Sequence, residues 1–83
     1  MIWVTRATAL PDYRLRLEFS DGKAGEVDLR NFILEDQRPI VAALKDASAF
    51  AACHVEMDTV VWDNGFDLAP EFLYARLRDP AAA

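Results

Sequence analysis

Polar and apolar residues alternate most strictly from Tyr13 to Phe19: Tyr13, Leu15, Leu17 and Phe19 fall on one side, Arg14, Arg16 and Glu18 on the other. A period of two predicts a strand with one buried face. Cys53 to Met57 repeats the pattern, with Cys53, Val55 and Met57 inward and His54, Glu56 and Asp58 outward. Val60 and Trp62 then alternate with Val61 and Asp63. Ile2 to Ala9 is rich in strand formers, but Arg6 falls in phase with Ile2 and Val4. That interruption predicts a first strand at a sheet edge or with a bulge, where it is tolerated.

Elsewhere the apolar spacing changes to three and four, the period of one helical face. Asp28 to Leu34 reads as a strand end passing into a short helical turn anchored by Phe32 and Ile33. After the polar connection Glu35 to Arg38, Pro39 opens a helix lined by Ile40, Ala43, Leu44 and Ala47, and Ser48 caps a further turn that carries Phe50 inward. Pro70 opens the last helix, with Glu71 at its positive end and Phe72, Leu73, Tyr74 and Leu77 on the buried side. Arg76 and Arg78 sit late in that helix, Pro80 stops it, and Ala81 to Ala83 form a frayed tail. The expected fold is α+β, a small mainly antiparallel sheet in the order β-β-β-α-β-β-α with helices packed on one face. It makes one domain over residues 1–80.

The turns set the registers. Leu10-Pro11-Asp12 closes the first hairpin. For the second, a three-residue loop Ser20-Asp21-Gly22 with Gly22 left-handed sets Leu15 opposite Val27 and Tyr13 opposite Leu29. It also pairs Arg16 with Glu26 and Arg14 with Asp28, each contributing ~0.2–1 kcal/mol. A tight turn at Asp58-Thr59 sets His54 opposite Asp63, and Asn64-Gly65 supplies a sharp turn of residues that tolerate positive φ.

Trp62, Asn64, Gly65, Asp67, Pro70, Leu73 and Tyr74 form a W-x-N-G-x-D-x-x-P-x-x-L-Y run, preceded by Tyr13-x-Leu15-x-Leu17-x-Phe19-x-Asp21-Gly22, Val27-Asp28-Leu29 and Leu44 with Phe50. In order and spacing these motifs resemble the small bacterial domain-of-unknown-function family 2442 over nearly the whole chain. The resemblance implies a small α+β domain, alone or joined to a helix-turn-helix domain, in some members near toxin-antitoxin pairs, with no enzymatic activity attached. One departure is Ala69, where members often carry Ser or Asp; losing that N-cap side chain costs ~1 kcal/mol.

Composition bounds the function. The chain has 83 residues, 53% hydrophobic and 28% charged, and a formal charge of −5. One small core is affordable, and burial in a homodimer would add to it. Net repulsion disfavours direct nucleic-acid binding by this chain alone. Neither a signal peptide nor a membrane span is expected, and the single Cys53 forms no internal disulfide, so a cytoplasmic protein without cofactor is the expectation.

Candidate chemistry is sparse, and no catalytic set is assigned. His54, Asp58 and Asp63 form the alternative metal or acid-base site of a small enzyme, weighed against a solvated polar face. Asp67 is expected to bond backbone N–H groups near the turn or the helix start. Cys53 reads as a small core residue. Trp3 either packs under the C-terminal helix or, with Arg6 on an edge strand, forms a partner-binding site. The leading expectation is a non-catalytic interaction or regulatory module that binds itself or another protein.

Overall fold

The alternation of Leu15, Leu17 and Phe19 builds the central strand of a three-stranded meander. The computed structural model describes residues 1–78 and places β1 at Val4–Leu10, β2 at Arg14–Phe19 and β3 at Ala24–Asp28, antiparallel in that order. The register shifts between Val4 and Arg6, so the misplaced Arg6 is absorbed by a bulge and points to solvent while Val4 is buried. Leu15 pairs with Val27, Arg16 with Glu26 and Arg14 with Asp28, around a Ser20-Asp21-Gly22 loop with Gly22 at φ +90. The expected ion pairs rearrange: the Arg14 guanidinium reaches diagonally to Glu26 at 3.0 Å, and the Asp28 carboxylate instead accepts the Arg30 N–H at 2.9 Å. Tyr13 leaves the strand pattern, because the first turn needs positive φ at both Asp12 (64) and Tyr13 (60). Tyr13 is therefore half-buried beyond the strand end, where its hydroxyl donates to the Lys45 carbonyl at 2.6 Å.

A second meander repeats the plan. β4 is Cys53–Glu56, β5 Thr59–Trp62 and β6 Asp67–Leu68, the last a strand the alternation did not predict because two residues show no period. Its first hairpin again turns through two positive-φ residues, Met57 (50) and Asp58 (69), so the turn lies one residue earlier than Asp58-Thr59. His54 then stands opposite Val61 instead of Asp63, and Met57 projects from the turn, 92% exposed, instead of inward. The second hairpin repeats the Ser20-Asp21-Gly22 geometry at Asp63-Asn64-Gly65. In each loop the Gly N–H bonds the carbonyl three residues back, Phe19 or Trp62. In each, Asp21 or Asn64 accepts the N–H two residues on, at 3.0 Å. The two sheets lie edge to edge, β1 alongside β4, with the Val4 N–H donating to the Asp58 carbonyl at 3.0 Å. The chain thus carries a β-β-β-helix plan twice, although no repeat shows in its residues.

The helices are shorter than the spacing suggested. α1 spans Arg30–Glu35, α2 Pro39–Ala42 followed by a 3-10 turn at Ala43–Lys45, α3 Ala47–Ala51 and α4 Pro70–Ala75. With α2 ending so soon, its buried side is Val41 and Leu44, and Ile40 faces solvent at 39% exposure. The cap of α3 is Asp46 instead of Ser48: its carboxylate accepts the Ser48 N–H at 3.0 Å and hydroxyl at 2.9 Å. α4 begins at Pro70 with Glu71 in its first turn and no side-chain cap from Ala69. It ends before Arg76 and Arg78. The Arg76 guanidinium lies 3.7 Å from the Phe72 ring, and Arg78 leaves the helix to bridge Glu26 on β3 through two 2.8 Å backbone bonds. Ile33, Val41, Leu44, Phe50 and Leu73 join Val4, Leu15, Leu17, Phe19, Val27, Val60 and Trp62 in one core. The expected stop at Pro80 and the tail at Ala81 to Ala83 lie outside the described residues.

Candidate functional site

The shifted turn decides what the polar face of the second sheet does. His54 Nε2 lies 3.0 Å from Glu56 Oε2 and Nδ1 lies 3.8 Å from Asp63 Oδ1. The three side chains are 45%, 59% and 76% exposed, so water competes for every contact. Asp58 is drawn into the turn, where its carbonyl holds β1, and does not join them. Among the described residues no three His, Cys, Asp or Glu side chains are grouped to hold a metal ion. The Cys53 thiol is half-buried, and burial pushes its pKa up, away from the reactive thiolate.

Several motif residues make bonds that tie elements of the fold together. The Trp62 indole N–H donates to the Phe50 carbonyl at 2.8 Å inside the core, tying β5 to α3. Asn64 works at both ends: its amide oxygen closes its own loop, and its amide N–H donates to the Ile40 carbonyl at 2.9 Å, pinning α2. Asp21 does the same in the other meander. It takes the Lys23 N–H and the Tyr74 hydroxyl (2.7 Å), and those donors, the backbone N–H foremost, hold its carboxyl below the usual carboxylate range. Gly22 and Gly65 supply the positive φ, and Pro70 starts α4. Asp67 departs from expectation. It pairs with Val61 across the ladder and points outward, and its carboxylate makes no hydrogen bond among the described residues.

Five large apolar side chains are exposed among the described residues: Leu34 and Ile40 lie apart on α1 and α2, while Met1, Trp3 and Met57 gather at one end. Trp3 precedes β1, 42% exposed, its backbone held to Ser20 by two hydrogen bonds: its N–H donates to the Ser20 side-chain Oγ at 3.2 Å and its carbonyl accepts the Ser20 N–H at 2.9 Å. The neighbouring Val4–Asp58 bond brings the Met57 turn beside it, and Met1 is fully exposed. Arg6 flanks this end, 76% exposed with its guanidinium 3.5 Å from Glu18. Met57 was missed because alternation cannot register a turn of positive-φ residues. A groove of about 360 Å³ between Ala9–Tyr13 and Ala47, Phe50 and Ala51 is mainly apolar and brings no nucleophile to a base.

A family described as a protein of unknown function, DUF2442, matches residues 4–79. The chain belongs to the DUF2442 family. The turn and core residues that carry the resemblance, from Asp21-Gly22 to Trp62-x-Asn64-Gly65, are those that fix the two DUF2442 meanders. Among solved structures, a crystal structure of a "putative DNA binding protein" from Nitrosomonas europaea is similar at 32% identity with a TM-score of 0.77. The match covers 99% of this DUF2442 chain and 52% of the Nitrosomonas one, so this chain spans about half the length of that protein. No curated protein matches the chain.

Proposed function

We propose that this DUF2442 domain is a non-catalytic interaction module that engages another protein through the end formed by Met1, Trp3 and Met57, with Arg6 beside it. The observation that carries the reading is the exposure of three large apolar side chains around a segment fixed by backbone bonds to Ser20 and Asp58. Single exposed apolar residues are ordinary, but a Trp and two Met on one end supply the aromatic and adaptable contacts that partner surfaces favour. Elsewhere among the described residues Leu34 and Ile40 are exposed too, without an exposed aromatic beside them or a third exposed large apolar side chain. The formal charge of −5 also suits a basic partner, whose encounter it would speed.

Trp3→Ser tests the reading. Trp3 lies outside the buried core, so the melting temperature should stay close to that of the parent while partner affinity falls at least about tenfold, the loss of one central aromatic. Unchanged affinity removes this end from the interface. The description of the Nitrosomonas protein as DNA binding supports a setting in which this module works beside a DNA-contacting partner. That protein has about as much chain again outside the matched part, so its DNA contact need not lie in the shared half. A toxin-antitoxin setting is the regulatory context the reading favours, and a basic partner recovered with the domain would support it.

A further inference from the structure

The solvent faces of the two sheets carry opposite charge. On the first sheet the outward positions include Arg6, Arg14, Arg16 and Arg78, the last because the Glu26–Arg78 bridge sets Arg78 in the row Thr8, Arg16, Glu26. Glu18 is occupied by Arg6 and Glu26 by Arg14, and the Asp28 carboxylate is turned to the Arg30 N–H. Arg16 and Arg78 have no ion pair among the described residues. Four arginines and the carboxylates Glu18, Glu26 and Asp28 sum to +1, which leaves −6 for the remainder of a chain of formal charge −5.

The second sheet is the reverse. The row His54, Val61, Asp67 and the neighbouring Glu56 face outward, and with Glu56 and Asp67 as the charges and no Lys or Arg on these strands they sum to −2. Because the sheets meet edge to edge and turn their other sides into one core, their outer sides form a single continuous face. β1 runs opposite to β4: Val4 bonds Asp58 beyond the far end of β4, while Ala9 and Leu10 line a groove with Ala47 and Ala51, just before its start. The face is therefore built about an approximate twofold axis between β1 and β4, basic on one side and acidic on the other.

We infer that this face binds a second copy of the chain, in a twofold arrangement that lays the arginine half of each copy on the carboxylate half of the other. A twofold interface needs a patch complementary to itself, and a face divided into opposite charges about a central line meets that need. Nucleic acid is a poorer occupant, since a phosphate strand crossing the arginines would run onto Glu56 and Asp67. The size is adequate: the molecule measures 33 × 30 × 18 Å, and a stable interface takes roughly 800 Å² from each partner. This face borders the Met1, Trp3 and Met57 end and shares Arg6 with it, but Arg16, Arg78, Glu56 and Asp67 are not part of that end, so the inference goes beyond the proposed function and is tested separately.

Sedimentation equilibrium of the full chain with two charge-reversed variants tests it. Wild type should dimerise, with Kd rising at least about tenfold as salt goes from about 50 to about 500 mM. Arg16→Glu with Arg78→Glu makes both halves acidic, and Glu56→Lys with Asp67→Lys makes both halves basic; each variant alone should be monomeric. Mixed one to one they should form a heterodimer, a result that only folded, reciprocally paired faces give. A monomeric wild type at low salt overturns the inference, as does a dimer indifferent to salt or a mixture that stays monomeric. If instead Trp3→Ser alone abolishes a wild-type dimer, self-association runs through the apolar end; the sheet-face inference then fails while the interaction-module reading stands.

Discussion

Gly25→Ala should destabilise the fold more than any other single-methyl change on its surface strands. Gly25 is buried on β3 opposite Leu17, and a Cβ built there collides with the Arg78 carbonyl oxygen, meets the Arg78 carbonyl carbon at 3.0 Å and Leu77 Cδ1 at 3.3 Å. The obstacle is backbone, so no rotamer change relieves it. The segment after α4 has to leave β3. Two 2.8 Å backbone bonds between Glu26 and Arg78 go with it, at ~1 kcal/mol each. Partial exposure of Leu77 adds ~1 kcal/mol. Against this, replacing a strand glycine gains ~0.5–1 kcal/mol. The net loss is about 2 kcal/mol, a large share of the roughly 4–12 kcal/mol expected for a domain this size. At a urea slope of ~1 kcal/mol/M the midpoint falls by about 2 M. Amide exchange should show the Arg78 and Glu26 N–H groups losing protection before the rest of the sheet. A change below ~0.5 kcal/mol with the Arg78 amide still protected would refute the reasoning.

Three further outcomes follow from the same geometry. Trp62→Phe leaves the buried Phe50 carbonyl without its 2.8 Å partner and should cost about 2–4 kcal/mol by urea titration; the remaining Trp3 should then emit as a solvated indole, open to acrylamide quenching. Asp21, Asp36 and Asp46 are held below the ordinary 3.8 by the Lys23 N–H with Tyr74, by Arg38, and by the Ser48 hydroxyl with its N–H. A depressed folded pKa gives stability that is present above the unfolded value and lost as pH falls through the folded one, so melting temperature should drop below about pH 4 while staying level from about pH 5 to 7. Mg²⁺, Mn²⁺ and Zn²⁺ should leave the melting temperature unchanged, and a rise abolished by His54→Ala would restore the metal-site reading of His54, Asp58 and Asp63.

Much of this architecture was legible because its signals are local. Alternation located β2, β4 and β5, and requiring like residues to pair across the hairpin fixed the β2–β3 register from Ser20-Asp21-Gly22. What escaped has physical causes. Met57 and Asp58 adopt positive φ without being Gly or Asn, so the turn was placed one residue late and His54 was set opposite the wrong partner. α2 is too short for its spacing to show which face is buried, and proline at position 39 marks only its start. The return of Arg78 to β3 depends on a missing side chain at Gly25, a fact about space between segments 53 positions apart in sequence. The exposed end at Trp3 was half legible: aromatic content on a bulged strand suggested it, while Met57 reaches it only through the Val4–Asp58 bond.

The most direct test of the interaction-module reading is paired affinity capture from the native host, with nuclease present, of the tagged wild-type chain and its Trp3→Ser variant, quantified by mass spectrometry. The account predicts one stoichiometric protein partner on the wild type and its loss from a variant that melts at the same temperature. A partner retained equally by both, or recovery that depends on intact nucleic acid, contradicts it.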